Sequence, residues 1–337
     1  MVNKIFSTKH LITFMVLDVL FMLTFVFVFY GPWPGFRNFW ITTSMTTMSH
    51  RYLAEMFYTD EIIEKVLVEN SIISTDITDP NMVKFRKQTT TLYKDEYEKE
   101  ILDHDEDDIY KVINVKGLGY YGYLVAIYDP SRVELATTKY LGETGEDIIT
   151  VSKREKAIIA MNGGGFYDPD WNSNGALPHG VVIKNGKVIS EFVSGAVNGG
   201  YIGFDNQNRL ILGKMTKEKA LEMNFRDAIE FGPFLIVNGK RSFIKGNGGW
   251  GVAPRSVIGQ REDGIVLFLV INGRIPSSIG ADMNDLCDIM ENYGAINAAN
   301  LDGGASSELV INHKIVNKPV AGGKDGLRYL PTFWVVK

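Results

Sequence analysis

The alternation of apolar and polar positions divides the chain into three regions. Residues 11–30 form an almost continuous apolar run of about twenty residues, the length that a helix needs to cross a bilayer. Between about residues 40 and 100 the apolar positions recur every three or four residues, which is the spacing of an amphipathic helix. After residue 110 the sequence changes to short β-prone runs separated by turn residues. The pattern therefore predicts an apolar helix, a helical segment and a strand-rich body.

The charges beside the apolar run predict its orientation. Lys4 and Lys9 precede it, and Trp33 follows it at the position of a membrane interface. Positive charge before a first span favours a cytoplasmic N-terminus. A cleaved signal peptide is the competing interpretation, but the run is long for one and no small-x-small site follows it. We expect a cytoplasmic tail over residues 1–10, a single transmembrane anchor in the lipid bilayer over residues 11–30, and an extracellular body attached to the cell membrane.

The helical spacing after the anchor predicts a stalk. The spacing is interrupted at Asp79-Pro80 and again by the charged run at residues 94–108. We therefore expect a helical stalk and linker over residues 31–108, which hold the body off the membrane. A helix that binds a partner protein is the alternative interpretation.

Turn dipeptides in the body predict hairpins. Asn185-Gly186, Asn238-Gly239 and Asn272-Gly273 each follow a short apolar run, and Asn-Gly accepts the positive φ angles of a tight turn, most clearly at the first. Residues 265–271 are continuously apolar, as expected for a strand that is buried on both faces.

A helix is predicted next, with Asp282 as its N-cap, Asp285 in its first turn and Gly294 at its end. The apolar run at residues 295–301 then leads into Asp302. The order strand, helix, strand favours a right-handed parallel crossover, with Asp302 at the carboxyl end of a strand. We predict an α+β fold, with a mixed β-sheet and few helices in a domain over residues 109–337.

Composition excludes several function classes. The formal charge is −5 and no basic stripe is present, so no nucleic-acid partner is expected. Cys287 is the single cysteine, which excludes an internal disulfide, and its apolar neighbours predict a buried thiol on a helix. The five histidines are scattered and no HExxH occurs, so we predict no metal site and no cofactor, with room left for a structural divalent cation. No GxxxxGK[ST], GxGxxG or GxSxG motif supports a nucleotide site or a serine nucleophile.

Three glycine-rich stretches carry the candidate chemistry: residues 161–168, 246–251 and 300–307. Glycine lets backbone amides approach a ligand and bind an anion. Arg255, just after the second stretch, has the planar guanidinium that grips a phosphate with two hydrogen bonds. Asp302, in the third, is the carboxylate best placed to act on an anomeric carbon. Each stretch alone is compatible with an ordinary turn, but one phosphorylated ligand accounts for all three.

The motifs AMNGGGFYDPD, APRSVIGQ and NLDGGASSELV, in this order, resemble the phosphodiester glycosidase family. The resemblance covers roughly residues 110–337 and includes the loop of Arg328 before the last apolar run. Two departures are an extra glycine at Gly165 and Ala305 in place of a third glycine. Bacterial relatives are often labelled as exopolysaccharide-biosynthesis proteins.

The resemblance implies hydrolysis of the sugar C1–O bond in a sugar-1-phosphodiester of a surface polysaccharide, cell-wall polymer or glycoconjugate. It implies that Arg255, Arg328 and the amides of Gly303 and Gly304 hold the phosphate of this phosphorylated carbohydrate. Asp302 would face C1 or the attacking water, and Asn162 would bind and orient the substrate. The remaining residues that the resemblance places in the substrate site are Gly163, Gly164, Phe166 and Ser306. The hydroxyl of Ser307 also suits a phosphate or a sugar hydroxyl, so we expect Ser307 in the same site.

Two alternatives follow from the same loops. One is a non-catalytic module that binds a cell-wall polymer or exopolysaccharide during assembly. The other is a phosphodiesterase that cleaves the P–O bond, which normally requires a bound metal and would lose turnover in excess chelator.

Overall fold

The computed structural model describes residues 8–47, 50–74, 76–85, 92–168, 173–192 and 199–337. In chain order, the α-helices of these ranges are Thr8–Tyr30 (α1), Pro34–Met45 (α2), Tyr52–Glu55 (α3), Asp60–Glu69 (α4), Glu96–Leu102 (α5), Ile148–Arg154 (α6), Lys217–Glu222 (α7) and Met283–Asn292 (α8). The strands are Ser71–Ile73 (β1), Tyr110–Gly117 (β2), Tyr120–Ile127 (β3), Val133–Thr137 (β4), Ile159–Asn162 (β5), Gly180–Lys184 (β6), Lys187–Phe192 (β7), Gly200–Asp205 (β8), Leu210–Gly213 (β9), Phe225–Phe231 (β10), Phe234–Val237 (β11), Lys240–Arg241 (β12), Phe243–Lys245 (β13), Arg255–Arg261 (β14), Val266–Ile271 (β15), Ala295–Asn300 (β16), Leu309–Ile311 (β17), Lys314–Ile315 (β18) and Thr332–Val336 (β19).

Three sheets enclose a common core. Their strand orders are β12-β11-β16-β14-β15-β3-β2, β7-β6-β10-β8-β9 and β18-β17-β5-β19-β4. Each sheet contributes large buried side chains to one cluster, including Phe204, Phe268 and Trp334. Helix α8 covers the opposite face of the seven-stranded sheet, where Leu286 joins a second cluster with Leu267. The α+β class is confirmed.

The sheets are antiparallel where a mixed sheet was predicted. Every strand pairing in the described ranges is antiparallel. Strands β15 and β16 run in the same direction, as the predicted crossover requires, but β14 lies between them and pairs with both. The reason is local: β14 and β15 form a hairpin, so β14 occupies the place beside β15 before α8 returns the chain to the sheet.

The predicted turns form at two of the three Asn-Gly dipeptides, while Asn272-Gly273 has no positive φ angle and connects no pair of adjacent strands. Asn185-Gly186 connects β6 to β7 and Asn238-Gly239 connects β11 to β12, with φ angles between 51° and 72° at these four residues. The predicted helix start is also confirmed, because Asp282 and Asp285 form a reciprocal capping box at α8. These are local signals that tertiary packing did not override.

Cys287 lies in the core, as predicted. Its side chain is fully buried on α8. Burial raises the pKa of the thiol to about 12, so it stays protonated and inert at physiological pH.

Helix α1 is long and apolar enough to cross a bilayer. Its candidate span is His10–Tyr30, with a mean hydropathy of 2.6, and none of its most apolar window is buried against the protein. A signal sequence near the N-terminus would share this length and composition.

The segment that follows α1 packs against the body, which differs from the predicted stalk. Strand β1 pairs with β13, and the Thr78 hydroxyl accepts a hydrogen bond from the Leu212 amide at 3.0 Å. Ile101 is fully buried in the cluster under α8. Helical spacing shows that one face of a segment is buried, but it does not show what covers that face. The domain boundary near residue 109 stays a prediction.

Candidate active site

A cavity of about 1090 Å³ opens at the ends of the central strands of the seven-stranded sheet. Asn300 at the end of β16 and Ile271 at the end of β15 lie at this end of the sheet, and both pair with the start of β14. The chain segments that line the cavity contribute Thr46, Thr47, His50, Asp147, Ile149, Ser173, Asn174, Trp250, Ala253, Arg255, Arg274, Asp302, Gly303, Gly304, Ala305, Val320, Ala321, Gly322, Gly323, Asp325, Leu327, Arg328 and Tyr329.

Asp302 lies in this cavity two residues after β16. Its backbone is fixed on both sides, because its N–H donates to the Gly163 carbonyl at 3.1 Å and its carbonyl accepts from Asn162 Nδ2 at 2.7 Å. Desolvation raises the pKa of Asp302 to about 6, against the opposing effects of the Ser306 hydroxyl, Arg328 and the Gly303 amide. The carboxylate is thus mostly ionised at neutral pH and takes up a proton just below it, which suits a nucleophile or general base.

Arg255 begins β14 and is almost completely buried. Its Nε donates to the Ala281 carbonyl at 3.2 Å, and its Nη2 donates to the carbonyls of Gly251, at 2.7 Å, and Trp250. Burial, followed by repulsion from Arg274, lowers the pKa of Arg255 to about 10, which leaves it cationic at neutral pH. Nη1 is directed toward the third glycine stretch, since a β-carbon on Gly303 would lie 3.5 Å from it.

Arg274 is a cavity residue that the sequence analysis missed. It has a φ of 57°, a left-handed conformation that is uncommon for a residue with a side chain. A β-carbon on Gly304 would lie 3.2 Å from Nη2, so the guanidinium rests against the loop that carries Asp302. Within the described ranges its guanidinium has no hydrogen bond or ion pair, and burial lowers its pKa.

The position of Arg274 after a buried apolar run was the signal that could have identified it. Arg274 follows the carboxyl end of β15 just as Asp302 follows that of β16.

Arg328 is fixed from three sides. It forms an ion pair with the buried Asp168, and its guanidinium lies 4.6 Å from the ring centre of Phe166. Its backbone N–H donates to Glu308 Oε1 at 2.7 Å. Burial raises the pKa of Glu308 to about 8, so this carboxyl is mostly protonated at neutral pH and adds little negative charge beneath the site.

Asn162 lies beneath the cavity and does not line it. Its Oδ1 accepts from Ser256 Oγ at 2.7 Å and from the Glu308 amide at 3.2 Å, while Nδ2 holds the Asp302 carbonyl. The side chain therefore joins β5, β14 and the loop after β16. This differs from the predicted contact of Asn162 with the substrate, because the amide has already formed its hydrogen bonds within the protein.

The remaining glycine positions divide between the two loops. Gly163 and Gly164 are buried below the cavity, where their amides donate to the backbone carbonyl and the hydroxyl of Thr332 at 2.9 and 3.1 Å. Gly303 and Gly304 line the cavity. These amides were predicted to donate to phosphate, but in the structure they donate within the protein. The Gly303 N–H donates to Asp302 Oδ1, and the Gly304 N–H donates to the Pro254 carbonyl at 2.8 Å.

The two serines after the glycines are both buried. Ser306 acts on Asp302, whose pKa its hydroxyl lowers in opposition to burial. The Ser307 carbonyl accepts from Asn317 Nδ2 at 2.8 Å, and Ser307 is outside the cavity lining. As for metals, the described part of the chain contains no group of three or more His, Cys, Asp or Glu side chains that could hold an ion.

Comparison with known sequences decides the family. A family model described as phosphodiester glycosidase matches residues 155–337, a little over half of the chain. The chain belongs to the phosphodiester glycosidase family. The description of this family implies a hydrolase that acts on a carbohydrate-containing substrate. The match includes all three motifs and leaves residues 110–154, which the resemblance had included, outside it.

Individual relatives of this phosphodiester glycosidase are distant. The SPbeta prophage-derived uncharacterized protein YomE of Bacillus subtilis strain 168 is 28% identical over 199 residues, which cover 56% of this chain and 30% of that protein. The chain thus spans about a third of the length of the curated relative.

Two solved structures are similar in fold. The catalytic domain of zebrafish N-acetylglucosamine-1-phosphodiester alpha-N-acetylglucosaminidase, auto-inhibited by its pro-peptide, aligns with a TM-score of 0.56 at 19% identity, covering 69% of this chain and 85% of that one. A putative exported protein of Burkholderia pseudomallei aligns with a TM-score of 0.48 at 17% identity, covering 64% and 74%.

Proposed function

We propose that the protein hydrolyses the sugar C1–O bond of a sugar-1-phosphodiester. The observation that carries the proposal is the arrangement around Asp302: an ionisable carboxylate in a cavity, with Arg255 and Arg274 against the same glycine pair. Arg274 lowers the pKa of Arg255, and an anion between the two guanidiniums relieves this repulsion. A phosphodiester supplies that anion next to an anomeric carbon.

Each residue then has a chemical task. Arg274, Nη1 of Arg255 and Arg328 bind the phosphate, while Asp302 acts on C1 directly or on the attacking water. The bond from C1 to the phosphate oxygen breaks, its electron pair stays on the phosphate, and the water oxygen ends on C1. Because a phosphate monoester is a weak base, little protonation of the leaving group is needed. Stabilisation of the oxocarbenium-like centre is the larger task.

Asn162 and the first glycine stretch have a positioning role in this proposal. Asn162 holds the backbone of Asp302, and Phe166 supports the guanidinium of Arg328 from below. The Gly163 carbonyl accepts from the Asp302 amide, and the Gly164 amide donates to the Thr332 hydroxyl, so both glycines hold the layer beneath Asp302 in place.

The decisive experiment locates the bond that breaks. The protein would hydrolyse a sugar-1-phosphodiester in ¹⁸O-labelled water, and the phosphomonoester would be analysed by ³¹P NMR and mass spectrometry. We expect no ¹⁸O in the phosphate, since the water oxygen goes to C1. Label in the phosphate, together with loss of turnover in excess chelator, would instead identify a P–O-cleaving phosphodiesterase. Tight binding of phosphorylated glycans without turnover would identify a binding module.

We also propose that α1 anchors the protein in the membrane with its body outside the cell, where surface polysaccharides and glycoconjugates are found. The apolar span and the two lysines before it support this orientation. Protease added to intact cells should degrade the body, whereas complete protection of the body contradicts the orientation.

A further inference from the structure

The end of α1 is fixed to the segment that follows it by an aromatic cluster. The ring of Phe29 lies 5.4 Å from that of Trp40 on α2 and 4.7 Å from that of Phe57, centre to centre. Two hydrogen bonds reinforce the contact: Tyr58 Oη donates to the Phe29 carbonyl at 2.9 Å, and Tyr30 Oη donates to the Phe57 carbonyl at 3.0 Å. The cluster restricts the angle between α1 and α2, because aromatic rings packed against one another resist reorientation.

Helix α2 is in turn docked on the body, at the loop that holds Arg255. Asn247 Nδ2 donates to Thr42 Oγ1 at 2.8 Å, and the Val252 amide donates to Thr43 Oγ1 at 3.3 Å. Between them lies Gly251, whose carbonyl accepts from Arg255. A β-carbon on Gly251 would lie 2.4 Å from Thr43 Cα, so this approach of α2 requires glycine there.

The same segment completes the wall of the cavity. Thr46, Thr47 and His50 line it together with Asp302. Thr46 is six residues beyond Trp40, or about 9 Å along a helix at 1.5 Å per residue. Because the Trp40 ring packs on Phe29 near the end of α1, the wall begins on the order of 10–20 Å from the end of the apolar span, close to the surface of the bilayer.

We propose that the substrate is a glycosyl phospholipid, in which a membrane lipid carries the phosphate and the sugar is attached to it. This rests on the proposed function of the site. The lipid–phosphate–sugar diester and one water give a free sugar and a lipid phosphate monoester. The C1–O bond breaks, the water oxygen bonds to C1, and the protons of water are shared between the sugar hydroxyl and the phosphate. A cavity held at the bilayer surface reaches such a headgroup without extracting the lipid.

The test uses the full chain in liposomes with two substrates that share the sugar and the phosphate. In one, the phosphate is esterified to diacylglycerol in the same vesicles, and in the other it is esterified to a short soluble alcohol. We expect kcat/KM to favour the embedded substrate by on the order of 10-fold or more, since anchoring raises its effective concentration. Equal rates, or failure of the chain to float with the vesicles, overturns the proposal. Absence of turnover with both substrates refutes the proposed function itself.

Two variants distinguish rigid positioning from simple tethering. A twelve-residue Gly/Ser insertion between Gly31 and Pro32, combined with Phe29→Ser, should lower the preference for the embedded substrate several-fold while turnover of the soluble one stays unchanged. Such a linker adds a reach of about 20 Å and frees the orientation of the body. The matched control is the same insertion after Gly186 in an exposed hairpin, which should preserve the preference. An unchanged preference in the first variant overturns the proposal.

Discussion

The two glycine-rich loops at residues 162–165 and 302–304 look alike in sequence but differ in what they contact. Each lies at the end of a strand, and in each a polar residue, Asn162 or Asp302, directly precedes glycine. Asn162 is buried and its amide is saturated by the protein, whereas Asp302 lies in the cavity with a raised pKa. The first loop lies under the second and fixes its backbone. A glycine-rich motif therefore indicates close packing of backbone. Only its position relative to the cavity shows whether it can contact a ligand.

Asp302→Asn should separate the two loops most sharply. Removing the charge should lower turnover on the order of 100-fold or more, because in the proposed reaction the carboxylate acts at C1 or on water. The free energy of unfolding should change by about 1 kcal/mol or less, since relief of a desolvated charge offsets the weakened hydrogen bond from the Gly303 amide. Steady-state kinetics and urea denaturation measure the two quantities. Near wild-type turnover would remove Asp302 from the mechanism and favour the binding module.

Asn162→Ala should show the opposite pattern. It leaves the Ser256 hydroxyl and the Glu308 amide without their buried acceptor, which should lower the free energy of unfolding by about 3 kcal/mol. Turnover per folded molecule should fall by less than about 10-fold. Asn206→Ala, at an exposed turn, is the matched control and should cost less than about 0.5 kcal/mol. A 100-fold loss of turnover at full stability would place Asn162 on the substrate instead.

Substitution of the two cavity arginines should distinguish an effect on phosphate binding from an effect on stability. Arg255→Lys and Arg274→Lys both keep the charge and lose the planar fork, so each should lower kcat/KM for a phosphodiester by about 10-fold. A neutral glycoside should be affected less by either change. Only Arg255→Lys should also lower the melting temperature, because Arg255 alone of the two donates to buried carbonyls. Equal losses for charged and neutral substrates would argue against phosphate binding.

The pH profile tests the state of Asp302 with the smallest expected change. Because desolvation raises its pKa to about 6, the active carboxylate is lost as the pH falls through that value. We expect kcat/KM to rise with pH on a limb centred near 6 and to level off above it. Asp302→Asn should flatten this limb in whatever activity remains. A limb that persists in the variant belongs to another group.

Sequence alone predicted the local features of this fold. The Asn185-Gly186 turn, the cap at Asp282 and the buried position of Cys287 each depend on a few neighbouring residues, and the structure confirms them. The antiparallel sheet order was missed because pairing of β14 with both β15 and β16 joins distant parts of the chain. The spacing of apolar residues shows which face of a segment is buried, but not which other segment covers that face.

The candidate site was predicted in part for the same reason. Asp302 follows a buried strand, a signal that one segment carries by itself. Arg274 follows another such strand, but its importance depends on the contact with Gly304, thirty residues later in the chain. Whether the Gly303 and Gly304 amides are available depends on Pro254 and on the rotamer of Asp302, and neither is written in the motif.

The pairing of β1 with β13 has a consequence for biosynthesis. Ser71 pairs with Lys245, so about 170 residues are synthesised between the two strands. At about 5–20 residues per second, β1 waits roughly 10–30 s for its partner. A nascent chain interrupted in this interval lacks β13, Arg255 and Asp302, so the candidate site cannot form. It does present β1 as an unpaired edge, which is the kind of surface that a holding chaperone binds and that neighbouring nascent chains aggregate through.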